Sequence, residues 1–380
     1  MDIDSRDPDI ASVIGRPYTE LDTPALCVHL EKMDANIGAI AGLLRQNEKA
    51  WRPHARGHKC PDIARRELEA GAIGVTVARS SEAEVYARSG IHDILIANLV
   101  VGAPKLRRIV RLTKIADPIV AIDHYVHAEQ LDKACGEAGV RCRVVAEINL
   151  GFQRVGVRPG PDTQQLLRGI RQFRNLDVVG LMGYEGHLLA MEDPGEKERL
   201  IRGAMRILGE ARDRMRQDGL TCDIVSAGGT GSYQIAALCP EPTEMKCGNG
   251  IFADPFYTER CGAVGLESAL FVLATVVHRG RLHRAVLDSG RTSVSQDVHP
   301  PWVARVAGGP AIPDAEITML TAEHMRLELG PEAANLRIGD KVEVVPGYSE
   351  FTTVLHDRIY ALRSGLVEAV WPLSARGCLQ

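Results

Sequence analysis

The strongest constraint on the fold is a regular alternation of short β-branched runs with longer segments of helical periodicity. Between residues 50 and 252, eight strand-like runs follow one another, and helix-like segments separate them. Eight strands that alternate with helices are typical of a closed parallel (β/α)8 barrel rather than an open doubly wound sheet. The predicted barrel strands are Ala50–His54, Gly74–Ala78, Asp93–Asn98, Pro118–Asp123, Arg143–Asn149, Asp177–Tyr184, Cys222–Ala227 and Glu244–Phe252.

The pattern changes after about Gly265, where helical segments give way to strands and turns. A chain of 380 residues is also long for one ordinary core. We therefore expect an α/β barrel domain over 25–265 and a β domain over 266–380, with residues 1–24 packing on the β domain. The strand-like run Thr23–Leu30 is a candidate to join that domain. The predicted strands of the β domain are Ala269–His278, Arg284–Asp288, Glu316–Glu328, Asp340–Val345 and Arg358–Val370.

The composition narrows the class of protein. With 45% hydrophobic and 25% charged residues, the chain is not of a disordered, collagen-like or coiled-coil type. The formal net charge of −4 gives no reason to expect a nucleic-acid partner, and the apolar run Ala269–Val277 is too short to span a membrane. The nine cysteines include no CxxC pair, and the N-terminus has no basic, apolar export signal. We therefore expect free thiols and a cytoplasmic location.

A basic segment follows the first predicted strand. Residues 52–60 contain two arginines, two histidines and Lys59, at the end of a barrel strand where functional groups are usually placed. Lys59 is a candidate amine for reaction with a carbonyl group if burial and neighbouring cations lower its pKa. The alternative interpretation is a solvated basic turn, and this segment alone does not decide between the two.

Glycine-rich loops follow the seventh and eighth predicted strands. The first contains Gly229, Thr230 and Gly231, and the second contains Gly248 and Asn249. These two positions of a barrel are commonly used to bind phosphate, because glycines let backbone N–H groups approach the phosphate oxygens. A pair of tight turns is the alternative, but two such loops in adjacent positions favour phosphate binding. Neither loop is a Walker motif, because the Lys-Ser/Thr pair is missing.

A lysine on one side of the barrel mouth and a phosphate site on the other suggest pyridoxal 5'-phosphate as cofactor. Arg154, after another predicted strand, is a candidate cation beside the pyridine nitrogen, although a surface arginine has the same spacing. Tyr184 is a candidate for packing against the cofactor ring, and ordinary core packing is its alternative role.

Four segments together carry a resemblance to a known family. They are Arg52–Lys59, Gly151–Val157 with Arg154, Tyr184–His187 and Gly228–Gly231. In these segments the chain resembles the fold-type III pyridoxal-phosphate enzymes. The most similar branch comprises D-threonine aldolase, 3-hydroxy-D-aspartate aldolase and eukaryotic-type D-serine dehydratase. The resemblance extends over almost the whole sequence, from Thr23 to Gly377.

The resemblance implies both an architecture and a set of roles. It implies an alanine-racemase-like barrel, a C-terminal β domain and a homodimer with shared active sites. It further implies that Lys59 binds the cofactor covalently, that Arg154 lies at the pyridine nitrogen and that Tyr184 lies beside the ring. The residues implied to bind the phosphate are Gly229, Thr230, Gly231, Gly248 and Asn249.

One departure from the family pattern affects the metal. Family members bind a divalent metal through a histidine and, two residues later, a cysteine or aspartate, whereas this chain has Tyr348 and Glu350 at the matching positions. Glu350 could still bind Mg²⁺ or Mn²⁺, but a neutral tyrosine replaces imidazole poorly. Either the site recruits other oxygen ligands, or it is lost and Tyr348 acts as an acid/base or contacts substrate. His324, in the pair Glu323-His324, is a further catalytic candidate.

The resulting functional hypothesis is a lyase whose small-molecule substrate is a β-hydroxy-D-amino acid of the D-threonine or 3-hydroxy-D-aspartate type. The products would be glycine or a related amino acid and an aldehyde. A D-serine-type dehydratase would use the same residues. A racemase or epimerase, with Lys59 and Tyr348 on opposite faces of the substrate, fits a metal-poor site. A protein that binds pyridoxal phosphate without turnover is the fourth alternative.

Overall fold

The structure is a computed structural model that describes residues 12–380, and its strands form two sheets. In chain order within this range, the strands are β1 (Ala25–His29), β2 (Ala50–Trp51), β3 (Val75–Val77), β4 (Asp93–Leu99), β5 (Asp117–Ile122), β6 (Cys142–Ile148), β7 (Leu176–Gly183), β8 (Ile224–Ala227), β9 (Glu244–Met245), β10 (Leu270–Arg281), β11 (Arg284–Leu287), β12 (Trp302–Val306), β13 (Ala315–Leu320), β14 (Met325–Leu329), β15 (Lys341–Val345), β16 (Arg358–Arg363) and β17 (Leu366–Pro372).

The helices lie mainly between the strands of the first sheet. They are α1 (Leu30–Gln46), α2 (Pro61–Glu69), α3 (Ser80–Arg88), α4 (Ala103–Leu112), α5 (Tyr125–Glu137), α6 (Pro161–Ile170), α7 (Pro194–Gln217), α8 (Tyr233–Ala236) and α9 (Ser349–Thr353). Short 3-10 turns occur at Tyr18–Glu20, Gly186–Leu188 and Asn249–Ile251, and one π turn occurs at Phe256–Arg260. No helix in the range 12–380 is both long enough and apolar enough to cross a bilayer.

The first sheet is the predicted parallel barrel. Its eight strands are ordered β2-β9-β8-β7-β6-β5-β4-β3, and every pair is parallel. Beyond the end of β2, Ala55 N–H donates to the carbonyl of Thr76 in β3, and Thr76 N–H donates to the carbonyl of Pro53, each at 2.8 Å. These bonds close the barrel, so the carboxyl ends of all eight strands meet around one opening.

The barrel interior is filled below that opening. Leu95, Ile119, Ala121, Val145 and Met182 form a buried apolar cluster contributed by successive strands. Such a cluster makes the barrel a packed core and not a channel. A ligand can therefore enter only at the open end.

Two predicted strands are shorter than expected. The first ends at Trp51 because Pro53 has no N–H to donate, and the eighth ends at Met245 because Gly248 and Gly250 begin a 3-10 turn. As a result, Lys246 lies just beyond the carboxyl end of β9 and not inside a strand.

The second sheet is mixed and is built from both ends of the chain. Its main order is β13-β14-β11-β10-β1-β16-β17, and β15 pairs with β10 and β12. β1 is antiparallel to β10 and parallel to β16, so this strand lies in the second sheet although the boundary at residue 25 counts it with the barrel. The reason is that β1 is an almost wholly buried apolar run, whose pattern does not reveal which sheet it joins. The division at residue 265 stays a prediction.

The N-terminal segment packs on this sheet where it is described. Pro17 pairs with Leu366, and the Tyr18 hydroxyl donates to Glu343 at 2.5 Å. The expectation for residues 1–11 lies outside the described residues.

A buried cluster of charged groups connects the ends of the three barrel strands β2, β9 and β4. Arg52, whose side chain is 2% exposed, donates from Nε to both carboxylate oxygens of Glu244 at 3.1 Å, and its Nη1 lies 2.9 Å from Asp93 Oδ1. A buried guanidinium of this kind is retained only where carboxylates compensate it.

Replacing Arg52 by methionine should destabilise the protein by about 3–5 kcal/mol, because the buried Glu244 carboxylate loses its partner. Urea denaturation followed by circular dichroism measures this change. The matched control is Arg158→Met, which breaks the surface pair with Asp162 and should change stability by less than about 1 kcal/mol. Equal effects of the two substitutions would contradict the role assigned to Arg52.

Candidate active site

A cavity of about 270 Å³ opens at the carboxyl ends of the barrel strands. Its wall combines the backbone of the two glycine loops, two tyrosine side chains, one methionine side chain and several charged groups. The lining residues are His54, Arg56, Ala78, Ala97, Asn98, Arg154, Val155, Met182, Tyr184, Gly228, Gly229, Thr230, Lys246, Gly248, Asn249, Tyr257 and Glu350. Most of the predicted cofactor-binding residues are therefore brought together here.

The two glycine loops form an anion-binding wall. Within residues 12–380, the backbone N–H groups of Thr230 and Gly248 make no hydrogen bond, although both residues line the cavity. A Cβ at Gly248 would lie 2.2 Å from the carbonyl oxygen of His54, and one at Gly229 would lie 2.9 Å from the Tyr184 ring. Unpaired N–H groups and a backbone without side chains suit a phosphate, because its oxygens accept several hydrogen bonds.

Gly231 is the one predicted phosphate residue outside the cavity. A Cβ there would lie 2.9 Å from the Cβ of Cys261, so this glycine allows the loop to pack against Leu189 and Cys261. Its role is structural in this geometry.

Arg154 and Tyr184 lie together on the cavity wall. The Arg154 guanidinium is 5.7 Å from the centroid of the Tyr184 ring and 5.0 Å from that of Phe152. Burial raises the pKa of Tyr184, so its hydroxyl stays protonated near neutral pH. An aromatic face beside a cation suits a flat ring that carries an acceptor nitrogen.

Lys59 does not line the cavity. The chain at Lys59 has a left-handed backbone with φ of +51°, and the amine is paired with the Glu82 carboxylate. The second oxygen of Glu82 accepts N–H bonds from Ala78 and Arg79, at 2.9 and 3.0 Å, at the start of α3. The amine of Lys59 therefore balances a buried helix-capping carboxylate.

Within the basic segment 52–60, Arg56 and His54 are charged or ionisable residues that line the cavity. Burial, with Arg56 and other cations nearby, lowers the pKa of His54 well below its usual value, so the ring is neutral. His54 Nδ1 accepts the N–H of Arg56 at 3.2 Å, which leaves the proton of the neutral ring on Nε2. Sequence spacing alone could not show which basic side chains of the loop turn inward.

Arg56 forms a two-point ion pair with Glu350 across the cavity. Its Nε donates to Oε2 at 2.6 Å and its Nη2 donates to Oε1 at 3.0 Å. The Glu350 carboxylate raises the pKa of Arg56 further above its ordinary value, despite burial. This parallel geometry is the strongest arrangement available to an arginine and a carboxylate.

The donor set does not fit a divalent metal. Both oxygens of Glu350 are bound by Arg56, and burial, followed by the charge of Glu350, raises the pKa of Tyr348. No cluster of three or more His, Cys, Asp or Glu side chains suited to a metal occurs in the described part of the chain. A guanidinium in contact with the carboxylate opposes a second cation there.

Tyr348 lies behind the cavity wall, and His324 does not line the cavity. Tyr348 is 9% exposed and packs its ring against Phe256, Tyr257 and Phe351. His324 is exposed in the turn between β13 and β14, where its N–H donates to the Thr321 hydroxyl. The structure therefore gives Tyr348 a supporting position and does not bring His324 to the site.

Among the lining residues that sequence reasoning missed, Lys246 and Tyr257 carry ionisable side chains. Lys246 was missed because the eighth strand was predicted to continue to Phe252, which would have placed this residue inside the strand. A strand that ends after Glu244 and Met245 would have placed Lys246 at the barrel opening. Tyr257 lies in the π turn after the last barrel strand, a conformation with no recognisable pattern.

The cavity carries an excess of positive charge. Arg56, Arg154 and Lys246 line it, against the single carboxylate of Glu350. Such a surface attracts ligands with several negative charges, such as a phosphate with a carboxylate.

The fold and this cavity define the alanine-racemase-like class of barrel proteins. The model of the alanine racemase N-terminal domain matches residues 28–254, and the model of a serine dehydratase domain matches residues 269–362. The chain belongs to the alanine racemase N-terminal domain family. The predicted fold class and family are therefore confirmed.

Relatives with assigned activities cover nearly the whole chain. A D-threonine aldolase from Arthrobacter sp. is 34% identical over 96% of this chain and 95% of that protein. A 3-hydroxy-D-aspartate aldolase from Paracoccus denitrificans (strain Pd 1222) is 30% identical over 97% of this chain and 96% of its own length. The crystal structure of D-threonine aldolase from Filomicrobium marinum superposes with a TM-score of 0.92 at 32% identity, covering 97% of this chain and 98% of the other.

A buried carboxylate fixes α9, which carries Glu350. Asp254 Oδ2 accepts from the N–H of Ser349 at 2.8 Å and from its hydroxyl at 2.6 Å. Burial raises the pKa of Asp254 to about 7. The folded state therefore holds a proton there that the unfolded chain has lost above about pH 4.

Because that folded-state pKa is raised, the contribution of Asp254 to stability is present at low pH and is lost as pH rises through about 7. The variant Asp254→Asn should therefore show a flatter dependence of urea midpoint on pH between 4 and 8. Asp162→Asn, which changes an exposed carboxylate, is the control and should keep the wild-type slope. An unchanged slope in Asp254→Asn would remove the assignment.

Proposed function

We propose that this protein is a pyridoxal-phosphate-dependent lyase that cleaves β-hydroxy-D-amino acids of the D-threonine or 3-hydroxy-D-aspartate type. The observation that carries the proposal is the end-to-end similarity to aldolases of these two substrates. The cationic cavity, which both glycine loops line, supports it. A cytoplasmic location and a homodimer belong to the same proposal, and the nine free cysteines are compatible with a reducing compartment.

The cofactor fits the residues present. Thr230 and Gly248 would hold its phosphate through their free N–H groups, with Gly229 and Asn249 beside them. Tyr184 would pack beside the ring, and Arg154 would lie toward the ring nitrogen. When bound, pyridoxal phosphate supplies an electron-withdrawing system that accepts the charge left on the amino acid when a bond to its α-carbon breaks.

The protein's own groups supply proton transfer and charge. Glu350 is the only carboxylate on the described cavity wall, and it is therefore the group that can accept the proton of a substrate β-hydroxyl. Arg56 orients this carboxylate by its two-point contact. The neutral His54 can donate a hydrogen bond from Nε2, and the Tyr184 and Tyr257 rings limit access of water.

The Arg56–Glu350 pair and the position of Lys59 favour a second candidate function. Arg56 binds the Glu350 carboxylate, and Lys59 in the loop after β2 does not line the cavity. A cavity of this kind could bind pyridoxal phosphate without cleaving a substrate. The racemase hypothesis has less support, because the structure does not place Lys59 and Tyr348 on opposite sides of the cavity.

Glycine release from D-threonine and 3-hydroxy-D-aspartate tests the lyase directly. Because Arg56 occupies both oxygens of Glu350, release should be unchanged by EDTA, and Glu350→Gln should lower it at least about 100-fold through loss of the proton acceptor. Glu323→Gln, which changes an exposed carboxylate, is the control. Cofactor binding without any glycine release would support the second candidate, and release that EDTA abolishes would contradict the metal-free site.

The phosphate wall predicts a preference among cofactor analogues. Pyridoxal 5'-phosphate should bind at least about 100-fold more tightly than pyridoxal, because two free N–H groups each donate a charge-assisted bond worth about 1.5–3 kcal/mol. Absorbance titration in phosphate-free buffer measures both affinities. Equal affinities would place the ligand elsewhere.

The homodimer has its own measurement. Sedimentation equilibrium of the purified protein should give twice the chain mass of 41.3 kDa. A concentration-independent single-chain mass would contradict this part of the proposal.

A further inference from the structure

One lysine, Lys246, lines the cavity in the described part of the chain. It follows β9 directly and is 6% exposed. Its Nζ donates to the carbonyl of Gly183 at 2.9 Å and to that of Ser226 at 3.2 Å. Both acceptors are neutral carbonyls at the ends of β7 and β8, and no carboxylate within residues 12–380 forms an ion pair with this amine, in contrast to that of Lys59.

The surroundings of Lys246 favour a reactive amine. Burial lowers its pKa, although the charges of Glu147, Glu185 and Glu244 act in the opposite direction. Glu147 Oε2 and the Ser226 hydroxyl are buried and have no hydrogen-bond partner among the described residues. Polar groups left unsatisfied beside a lysine are typical of a site where a ligand or a proton transfer completes the network.

The other basic groups near the cavity cannot take this role. The amine of Lys59 is bound to Glu82 outside the cavity. Arg56 lines the cavity, but a guanidinium stays protonated and offers no neutral amine. Lys246 is, moreover, two residues from Gly248 in the phosphate wall, so the amine and the anion site lie at the same strand end.

We infer that Lys246, and not Lys59, is the residue whose amine forms the covalent bond to the aldehyde of pyridoxal phosphate in this cavity. This inference rests on the proposed cofactor. The electron pair of neutral Nζ attacks the aldehyde carbon and a carbon–nitrogen double bond forms. The two amine protons leave with the aldehyde oxygen as one water molecule, so no further reactant is needed.

Borohydride reduction tests the inference without measuring activity. Reduction makes the carbon–nitrogen bond permanent, and peptide mass mapping then locates the pyridoxyl group. We expect the group on Lys246 in the wild-type protein loaded with pyridoxal 5'-phosphate. A group found on Lys59 would overturn the inference.

Two matched variants sharpen the test, because each replaces an amine by a guanidinium and keeps the charge. Lys246→Arg should lose the adduct completely, whereas Lys59→Arg should keep the wild-type level. Circular dichroism establishes that both variants are folded. An adduct retained in folded Lys246→Arg, or lost in folded Lys59→Arg, would contradict the assignment.

Equilibrium dialysis before reduction separates this inference from the proposed function. If wild-type protein retains pyridoxal 5'-phosphate but reduction leaves no adduct, the inference fails and the proposed cofactor stands. If the wild-type protein retains no cofactor, both fail.

Discussion

The ion pair between Arg56 and Glu350 determines both the charge distribution of the cavity and the orientation of its carboxylate. It joins the loop after the first barrel strand to α9, which lies between β15 and β16 of the second sheet, and so connects the two halves of the cavity wall. Its two parallel hydrogen bonds bind both oxygens of Glu350, the one carboxylate that lines the cavity among residues 12–380. The same contact excludes a cation from Glu350, fixes the direction of its oxygens and leaves Arg154 without a carboxylate partner on the described cavity wall.

Buried residues behind the cavity wall hold this ion pair in place. Asp254 accepts two hydrogen bonds from Ser349, and Tyr348 is packed among three aromatic rings, so the two residues that precede Glu350 are fixed by buried contacts. Opposite them, the glycine loops bring backbone N–H groups to the cavity because Gly229 and Gly248 have no side chains that would cover the backbone. One wall is therefore rigid through side-chain packing, and the other offers bare backbone to an anion.

The architecture could be predicted from the sequence because the barrel strands are short, apolar and regularly spaced. The glycine loops were also recognisable, since Gly229 and Gly248 follow the strands that carry phosphate sites in many barrels. The placement of individual basic side chains could not be predicted. Lys59 and Arg56 lie three residues apart in one irregular loop, and the left-handed turn at Lys59, together with the Glu82 carboxylate, determines which of them faces the cavity. Lys246 was missed because a strand end cannot be located within two residues from periodicity alone.

The position of β1 has a consequence for the order in which the protein is assembled. This strand is made before the barrel, yet its partners β10 and β16 are made after it. A ribosome that has released all eight barrel strands has therefore released an apolar strand that still lacks both neighbours. The barrel can close at that stage, whereas β1 stays unpaired until β10, which begins at Leu270, has emerged, and it lacks its second neighbour until β16, which begins at Arg358, has followed. During this interval β1 is the segment of the growing chain most exposed to pairing with another molecule.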